Sequence, residues 1–387
     1  ERLEENTWGL RECKSSSSVK ASYVDDVAVQ LYVLRGLGIN VPSVELIHVN
    51  TAYVRSDRGI HWPSFFRRAD ITFDAINASR DVEAQSSHFF DVLDDKNEPE
   101  IVAGKQCPSN CDYWEHCTQG MPEDWTHRLP RLSKQKFEEL RCLGIETIRD
   151  IPDDYHLSAI QTTVRQVWLG GEPFISSELA TALRVLSTPT YYLDFETMSP
   201  AIPLYPGVHP FKRIPFQWSL HHVDELDNIT HEEFLAKGDS NPTLEFITVL
   251  IDAIGQSDEP IVVYSSFEKG TLNDIAKQYP YLSDDIQAIV ERLVDLLPIV
   301  QRNTYFSGYN GSFSIKTVAP TLAPHLSYKN LNHVSDGLAA SAAFERVASG
   351  DLLPDEDAVT LREALLEYCK LDTLAMVEVH KALVDLC

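Results

Sequence analysis

Apolar and polar positions change period along the chain, and the changes predict three successive zones. In residues 1–120, WGLRECKSS alternates like a strand, DDVAVQLYVLRGLGI has the apolar spacing of a helix that stops at Gly36, and SVELIHVNTAYV alternates again. This zone is expected to form a small α/β module.

Residues 121–185 are punctuated by proline and have helical periodicity in LPRLSKQKFEELRCLGIETIRDIP and LSAIQTTVRQVWLGG. A helix, a Leu-Gly-Ile turn and a further short helix resemble a helix-hairpin-helix unit, whose turn can offer backbone N–H groups to a phosphate. A helical linker that packs two domains together is the alternative.

Residues 186–387 begin with the strand patterns TYYLDFET, IPFQWSLHHVD and HEEFLAK. A helical pattern in NPTLEFITVLIDAIG, the buried strand PIVVYSS and several helices follow, the last from about 355 to 384. The order predicts a mixed sheet covered by helices, and an α/β class for the chain.

Composition fits two or three globular domains, with 387 residues, 43% of them hydrophobic and 24% charged. No segment has the apolar length of a membrane span, and the start lacks the layout of a signal peptide. Because the start also lacks methionine, the chain is expected to begin inside a longer protein. Seven unevenly spaced cysteines favour a reducing, cytoplasmic compartment.

A net charge of −25 argues against a broadly cationic nucleic-acid binder, but not against a nuclease whose carboxylates hold metal ions. Asp194 and Glu196 lie two residues apart in a strand and therefore share a face. Close carboxylates raise each other's pKa unless a cation such as Mg²⁺ neutralises them. A solvated edge strand with two unrelated acids is the alternative.

Two further segments carry matching chemistry. Tyr368 and Asp372 are four residues apart and lie on one helix face. Glu268 lies where the buried strand PIVVYSS passes into a helix, the kind of place where α/β folds position reactive groups. Asp295 is the alternative acid for that position.

In this order, Asp194-x-Glu196, Glu268 and Tyr368-x-x-x-Asp372 resemble the DEDD 3′–5′ exonucleases of the ribonuclease H-like fold, in their tyrosine-containing subclass. The resemblance implies a two-metal mechanism with Mg²⁺ or Mn²⁺ on Asp194, Glu196 and Asp372. It assigns Tyr368 to orient the attacking water. The family usually carries Asp where this chain has Glu268.

Two shorter features also resemble nuclease motifs. The segment Ser314-Ile315-Lys316 resembles a motif that follows the second acid in some relatives, and a helix cap is its simpler interpretation. In the first zone, Glu12-x-Lys14 with Gln30 on the next helix resembles the second half of a RecB-like PD-(D/E)xK nuclease. The acidic ligand before Glu12 would belong to a missing upstream segment, so this site is expected to be incomplete.

Cys107, Cys111 and Cys117 have spacing typical of a metal site. RecB-like domains often carry an iron–sulfur cluster with three late cysteines, so the resemblance implies a 4Fe-4S cluster. Zinc, with His116 as a further ligand, and three unliganded cysteines are the alternatives. Cys13 is expected to point to the core.

The whole arrangement resembles an uncharacterised bacterial family in which a RecB-like nuclease is fused to a C-terminal domain of unknown function. It predicts a metal-dependent 3′–5′ exonuclease acting on DNA or RNA ends. A degenerate nuclease fold that binds nucleic acid or a protein without cutting is the alternative, and a purely structural scaffold is a third.

Overall fold

The computed structural model describes residues 1–97, 103–107, 111–186, 188–328, 331 and 334–387. They form mixed sheets and helices, which confirms the predicted α/β class. The chain divides into two compact units, Glu1–Glu100 with Ser199–Arg213, and Ile101–Met198 with Ile214–Cys387. Each described helix falls short of the length or apolarity that a membrane span requires.

This division differs from the three predicted zones. The second unit has a core in which Leu129, Phe137 and Val164 of the predicted linker pack together with Val300 and Leu383 of the predicted C-terminal domain. Because they share one core, the helical segment is part of the second unit.

The first unit contains a four-stranded sheet in the order β1-β2-β3-β4, with β2 and β3 parallel and the outer pairs antiparallel. Val27 and Leu31 of the first helix pack against Val44 and Leu46 of the sheet, as the helical spacing predicts. The elements are β1 (Arg2–Glu4), β2 (Thr7–Lys14), α1 (Ala21–Gly36), β3 (Asn40–Val49), α2 (Trp62–Phe65), β4 (Phe66–Asp70), α3 (Thr72–Ala78) and α4 (Val82–Asp94).

The second unit begins with a helical segment. Its elements are α5 (Trp114–Thr118), α6 (Lys134–Cys142), α7 (Ala159–Gly170), β5 (Phe174–Ile175) and α8 (Leu179–Leu183). The predicted helix-hairpin-helix unit is wrong. Gly144 leaves α6 at φ 73°, and Thr147 then forms a β-bridge with Trp125 instead of starting a second helix.

A five-stranded sheet in the order β10-β9-β6-β7-β8 forms the centre of the second unit. Strands β6, β7 and β8 are antiparallel neighbours, whereas β9 and β10 run parallel to β6. The strands are β6 (Thr190–Met198), β7 (Ile214–Val223), β8 (Ile229–Leu235), β9 (Ile261–Val263), β10 (Leu293–Asp295) and β11 (Thr304–Tyr305), which pairs with β5.

Helices cover both faces of this sheet. They are α9 (Thr243–Ile254), α10 (Phe267–Gln278), α11 (Ser283–Arg292), α12 (Leu296–Asn303), α13 (Ile315–Leu322), α14 (Gly337–Ser349) and α15 (Ala358–Asp385). Leu193 and Phe195 of β6 pack toward α9, where Phe195 contacts Phe246 edge-on. The alternate residues of β6 therefore face α15.

Two loops of the second unit are packed together at one glycine. Gly311 has φ +77°, and a Cβ atom there would lie 1.7 Å from the carbonyl oxygen of Arg128. The neighbouring Asn310 accepts a hydrogen bond from Arg128 Nη1 at 3.0 Å. Only glycine permits both the backbone conformation and this close approach.

We therefore expect Gly311→Ala to lower the free energy of unfolding by about 2–5 kcal/mol, from left-handed strain and overpacking together. Gly350→Ala is the matched control, because Gly350 has a similar φ of +79° but open space around the added Cβ. Its cost should stay near the strain alone, about 1–2 kcal/mol. Equal losses in urea denaturation of the two variants would contradict this packing.

Candidate metal centre

Three acidic side chains converge where α15 crosses β6. Asp194 lies opposite Ser219 and Glu196 opposite Gln217 in the β6–β7 register, so both carboxylates leave the same face of β6. Asp372 approaches them from α15. One carboxylate oxygen from each of the three residues lies within 4.8 Å of the others.

Glu268 is the fourth acid of the centre and lies at the start of α10, directly after β9. Its carboxylate accepts a hydrogen bond from Ser265 Oγ at 3.3 Å, and the residue lines a pocket together with Asp194 and Asp372. Asp295, the alternative from sequence, instead accepts a hydrogen bond from Leu297 N at 3.0 Å and caps α12.

A row of buried polar contacts fixes α15 against the sheet. All of them join a side chain of β6 or β7 to α15, so they set both the rotation and the height of the helix. They are Gln217 Nε2 to Leu365 O at 2.7 Å, Ser219 Oγ with Thr373 Oγ1 at 2.7 Å, His221 Nδ1 with Thr373 Oγ1 at 2.8 Å, and Tyr192 OH with His380 Nδ1 at 2.7 Å.

Burial dominates the electrostatics of the centre. It raises the pKa of Asp194, Glu196, Glu268 and Asp372, to about 8 for Glu196 and about 7 for Glu268. The neighbouring negative charges raise the pKa of Asp194 and Glu196 further, as expected when carboxylates share a site. The metal-free centre therefore binds protons more tightly than exposed acids do.

Lys316 brings positive charge to this cluster. It lowers the pKa of Glu196 and Asp372, its Nζ lies 4.6 Å from the ring centroid of Tyr368, and it donates a hydrogen bond to Ser335 O at 2.8 Å. Besides beginning α13, the segment Ser314-Ile315-Lys316 therefore brings a positive charge close to the carboxylates.

Tyr368 lies one helical turn before Asp372 and is 3% exposed. Burial, and then the charge of Asp372, raises the pKa of its phenol, so the hydroxyl stays protonated at neutral pH. It can therefore donate a hydrogen bond toward the carboxylates.

The residues of this centre fit a divalent cation. Among the described residues, Asp372 Oδ1 is a buried oxygen without a hydrogen-bond partner. A buried acceptor of this kind is costly unless a ligand satisfies it. Carboxylate oxygens are also the donors that Mg²⁺ and Mn²⁺ prefer.

The N-terminal residues predicted from the RecB-like resemblance also come together. Lys14 Nζ lies 3.0 Å from Glu12 Oε1, and Gln30 Nε2 donates to Glu12 Oε2 at 3.2 Å. Asp26 forms a second ion pair with Lys14. Cys13 is exposed, not in the core, because α1 covers the strand face that carries Glu12 and Lys14 and Cys13 projects from the other.

The three clustered cysteines are free and half-buried, and residues 108–110 between them lie outside the described residues. In the described chain, their sulfur atoms do not converge within 4.8 Å. A single tetrahedral ion would hold them about 2.3 Å from itself, whereas an iron–sulfur cluster spaces its ligands further apart. A 4Fe-4S or zinc site on Cys107, Cys111 and Cys117 stays a prediction.

Sequence patterns missed some neighbours of the carboxylates. Cys369 places its Sγ atom 3.5 Å from Asp194 Oδ2. The sequence could have indicated this contact, because Cys369 lies three residues before Asp372 on the same helix. Tyr328 lies close enough for its hydroxyl to lower the pKa of Asp372, which burial raises, and nothing in its local sequence indicates this.

The raised pKa values give the metal-free protein a defined pH dependence. The pKa of Glu196 rises from 4.5 to about 8 on folding, so its contribution to stability is fully present below about pH 4.5 and is lost as the pH rises through about 8. We expect the thermal midpoint in EDTA to fall as the pH rises across this window, and Mn²⁺ to restore stability most at its upper end.

Glu196→Gln should flatten this fall, whereas Glu245→Gln, at an exposed position of α9, should keep the wild-type slope. A metal-free midpoint that rises across the same window would contradict the buried-carboxylate centre.

Comparison with known proteins gives a family without an assigned activity. Residues 191–314 match a domain of unknown function, DUF2779, and this range contains Asp194, Glu196 and Glu268 but ends before Tyr368 and Asp372.

Two curated relatives are similar to part of the chain. "Uncharacterized protein MG366" of Mycoplasma genitalium is 28% identical over 215 residues, and "Uncharacterized protein MG366 homolog" of Mycoplasma pneumoniae is 27% identical over 214 residues. Each alignment covers 50% of this chain and 32% of the relative, so the chain matches about a third of their length. No solved structure matches the chain.

Proposed function

We propose that this protein is a metal-dependent nuclease whose cleavage centre lies on β6, α10 and α15. The observation that carries the proposal is the convergence of Asp194, Glu196 and Asp372 within 4.8 Å in a buried site, with Glu268 beside them. Bound cations would stabilise acids that are buried this close together, and among the described residues the Oδ1 atom of Asp372 has no hydrogen-bond partner.

Asp194, Glu196 and Asp372 would hold Mg²⁺ or Mn²⁺, with Glu268 as the nearest further ligand. Divalent ions bound there would stabilise the charge on the attacking and leaving oxygens of a phosphodiester. The protein contributes a rigid strand and a rigid helix that fix the acids before any ion or substrate arrives.

Tyr368 has the position and protonation state to orient a water molecule beside the carboxylates. Its phenol keeps its proton at neutral pH, and Lys316 lies over its ring at 4.6 Å. A hydrogen bond from this hydroxyl aligns the water for attack on phosphorus.

The direction of cleavage, 3′ to 5′ from DNA or RNA ends, rests on the resemblance to DEDD exonucleases. A reducing, cytoplasmic location rests on the seven unevenly spaced cysteines. The RecB-like residues Glu12, Lys14 and Gln30 lack a convergent set of acids among the described residues, so we place no cleavage there.

Activity on labelled strands tests the location of the centre. We expect Asp194→Ala to abolish Mn²⁺-dependent release of nucleotides, because an ion ligand is lost, and Glu12→Ala with Lys14→Ala to leave the rate unchanged. The same strands should carry a 3′ or an internal label, so that end and internal cuts are distinguished. The reverse pattern would move the centre to the first unit, and no cleavage by any variant would favour a non-cleaving binding module.

Replacement of one hydroxyl tests the role of Tyr368. Tyr368→Phe should lower kcat by about 10²–10⁴-fold, the usual contribution of a positioned proton-transfer group, with little change in Mn²⁺ affinity. Tyr281→Phe is the matched control, because Tyr281 is 70% exposed in the same unit. Wild-type turnover in Tyr368→Phe would remove this tyrosine from the mechanism.

A further inference from the structure

The carboxylates open into a pocket of about 390 Å³ inside the second unit. Its lining includes the acids Asp194, Glu268 and Asp372 and the apolar residues Ile160 and Phe313. The volume is near the lower limit of the 300–1,000 Å³ typical of sites for small molecules.

Arg131 also lines this pocket. It comes from the helical segment before the sheet, and its Nη2 donates to Gln301 Oε1, which also lines the pocket, at 3.3 Å. None of the described carboxylates lies within ion-pair distance of its guanidinium. In a chain of net charge −25, a pocket-lining arginine without an acidic partner is available for an anionic ligand.

The backbone of Arg131 supports the same interpretation. Its φ is +53°, a left-handed conformation that residues with a side chain rarely adopt. The adjoining loop is held by the close packing of Gly311 on Arg128 and by the hydrogen bond from Arg128 to Asn310. Strained residues that the surrounding structure holds in place are concentrated at functional sites.

We infer that Arg131 is a phosphate-binding residue of this pocket. The inference rests on the proposed nuclease function and assigns Arg131 one contact with the backbone of the nucleic-acid substrate. One phosphate would face the carboxylates, and a neighbouring phosphate would meet the guanidinium.

Binding without cleavage provides the test. Every protein carries Asp194→Asn to suppress cleavage, and the probes are a 5′-labelled single-stranded oligodeoxynucleotide and its oligoribonucleotide counterpart. Arg131→Gly removes the guanidinium while permitting the left-handed backbone, and Arg131→Lys retains a positive charge. Arg141→Ala, an exposed arginine paired with Glu138 on α6, is the matched control.

We expect Arg131→Gly to weaken single-strand binding about tenfold or more, the size of one charge-assisted hydrogen bond. The slope of log K against log salt should fall by about 0.7, as for one lost phosphate contact on a single strand. Arg131→Lys should recover the slope, and Arg141→Ala should match the parent.

Unchanged affinity and slope in Arg131→Gly would overturn the role of Arg131. Loss of binding with an unchanged salt slope would also overturn it, because a merely structural effect would act that way. If the Mn²⁺-loaded parent with Asp194 intact cut nothing while the Arg131 effects held, the cleavage assignment would fail and the binding site would stand.

Discussion

The repulsion among the buried carboxylates is the constraint around which the second unit is built. Left to themselves, Asp194, Glu196 and Asp372 would separate or take up protons. The neutral hydrogen bonds from β6 and β7 to α15 hold them together instead, since Thr373, the residue after Asp372, is fastened to the sheet through Ser219. Packing and neutral polar contacts thus supply the free energy that keeps like charges adjacent.

The proposed nuclease function requires an acidic protein to act on an acidic polymer. The net charge of −25 gives no general attraction for nucleic acid, so affinity must come from a few local cations. Lys316 beside the carboxylates and Arg131 in the lining of the pocket are candidates, and bound divalent ions would add to them. Recognition would then be confined to one pocket, and an acidic surface elsewhere would repel the strand.

Local patterns in the sequence predicted the parts of the site that lie on single regular elements. Strand alternation placed Asp194 and Glu196 on one face, and four-residue spacing placed Tyr368 with Asp372 on one side of a helix. The convergence of these two segments followed only from the family resemblance, and other features that depend on contacts between distant segments, or on backbone torsions, were not predicted. Arg131 lines the pocket from a segment that was predicted to be a linker, and its own backbone has a left-handed conformation. In place of the second helix of the predicted helix-hairpin-helix unit, Thr147 forms a β-bridge with Trp125.

The path of the chain between β6 and β7 has a consequence for how the protein can be divided. Residues 199–213 leave the sheet, cluster with the first unit and return, so the backbone passes between the units three times. The excursion starts directly after Met198, only two residues beyond Glu196. In a fragment that begins near residue 101, this loop would lack its packing partners from the first unit. Tyr53 and Phe65, which pack against Phe211, are two of them. Evolution by simple exchange of an N-terminal domain is therefore disfavoured, because the replacement would also have to accommodate a loop encoded between two segments of the second unit.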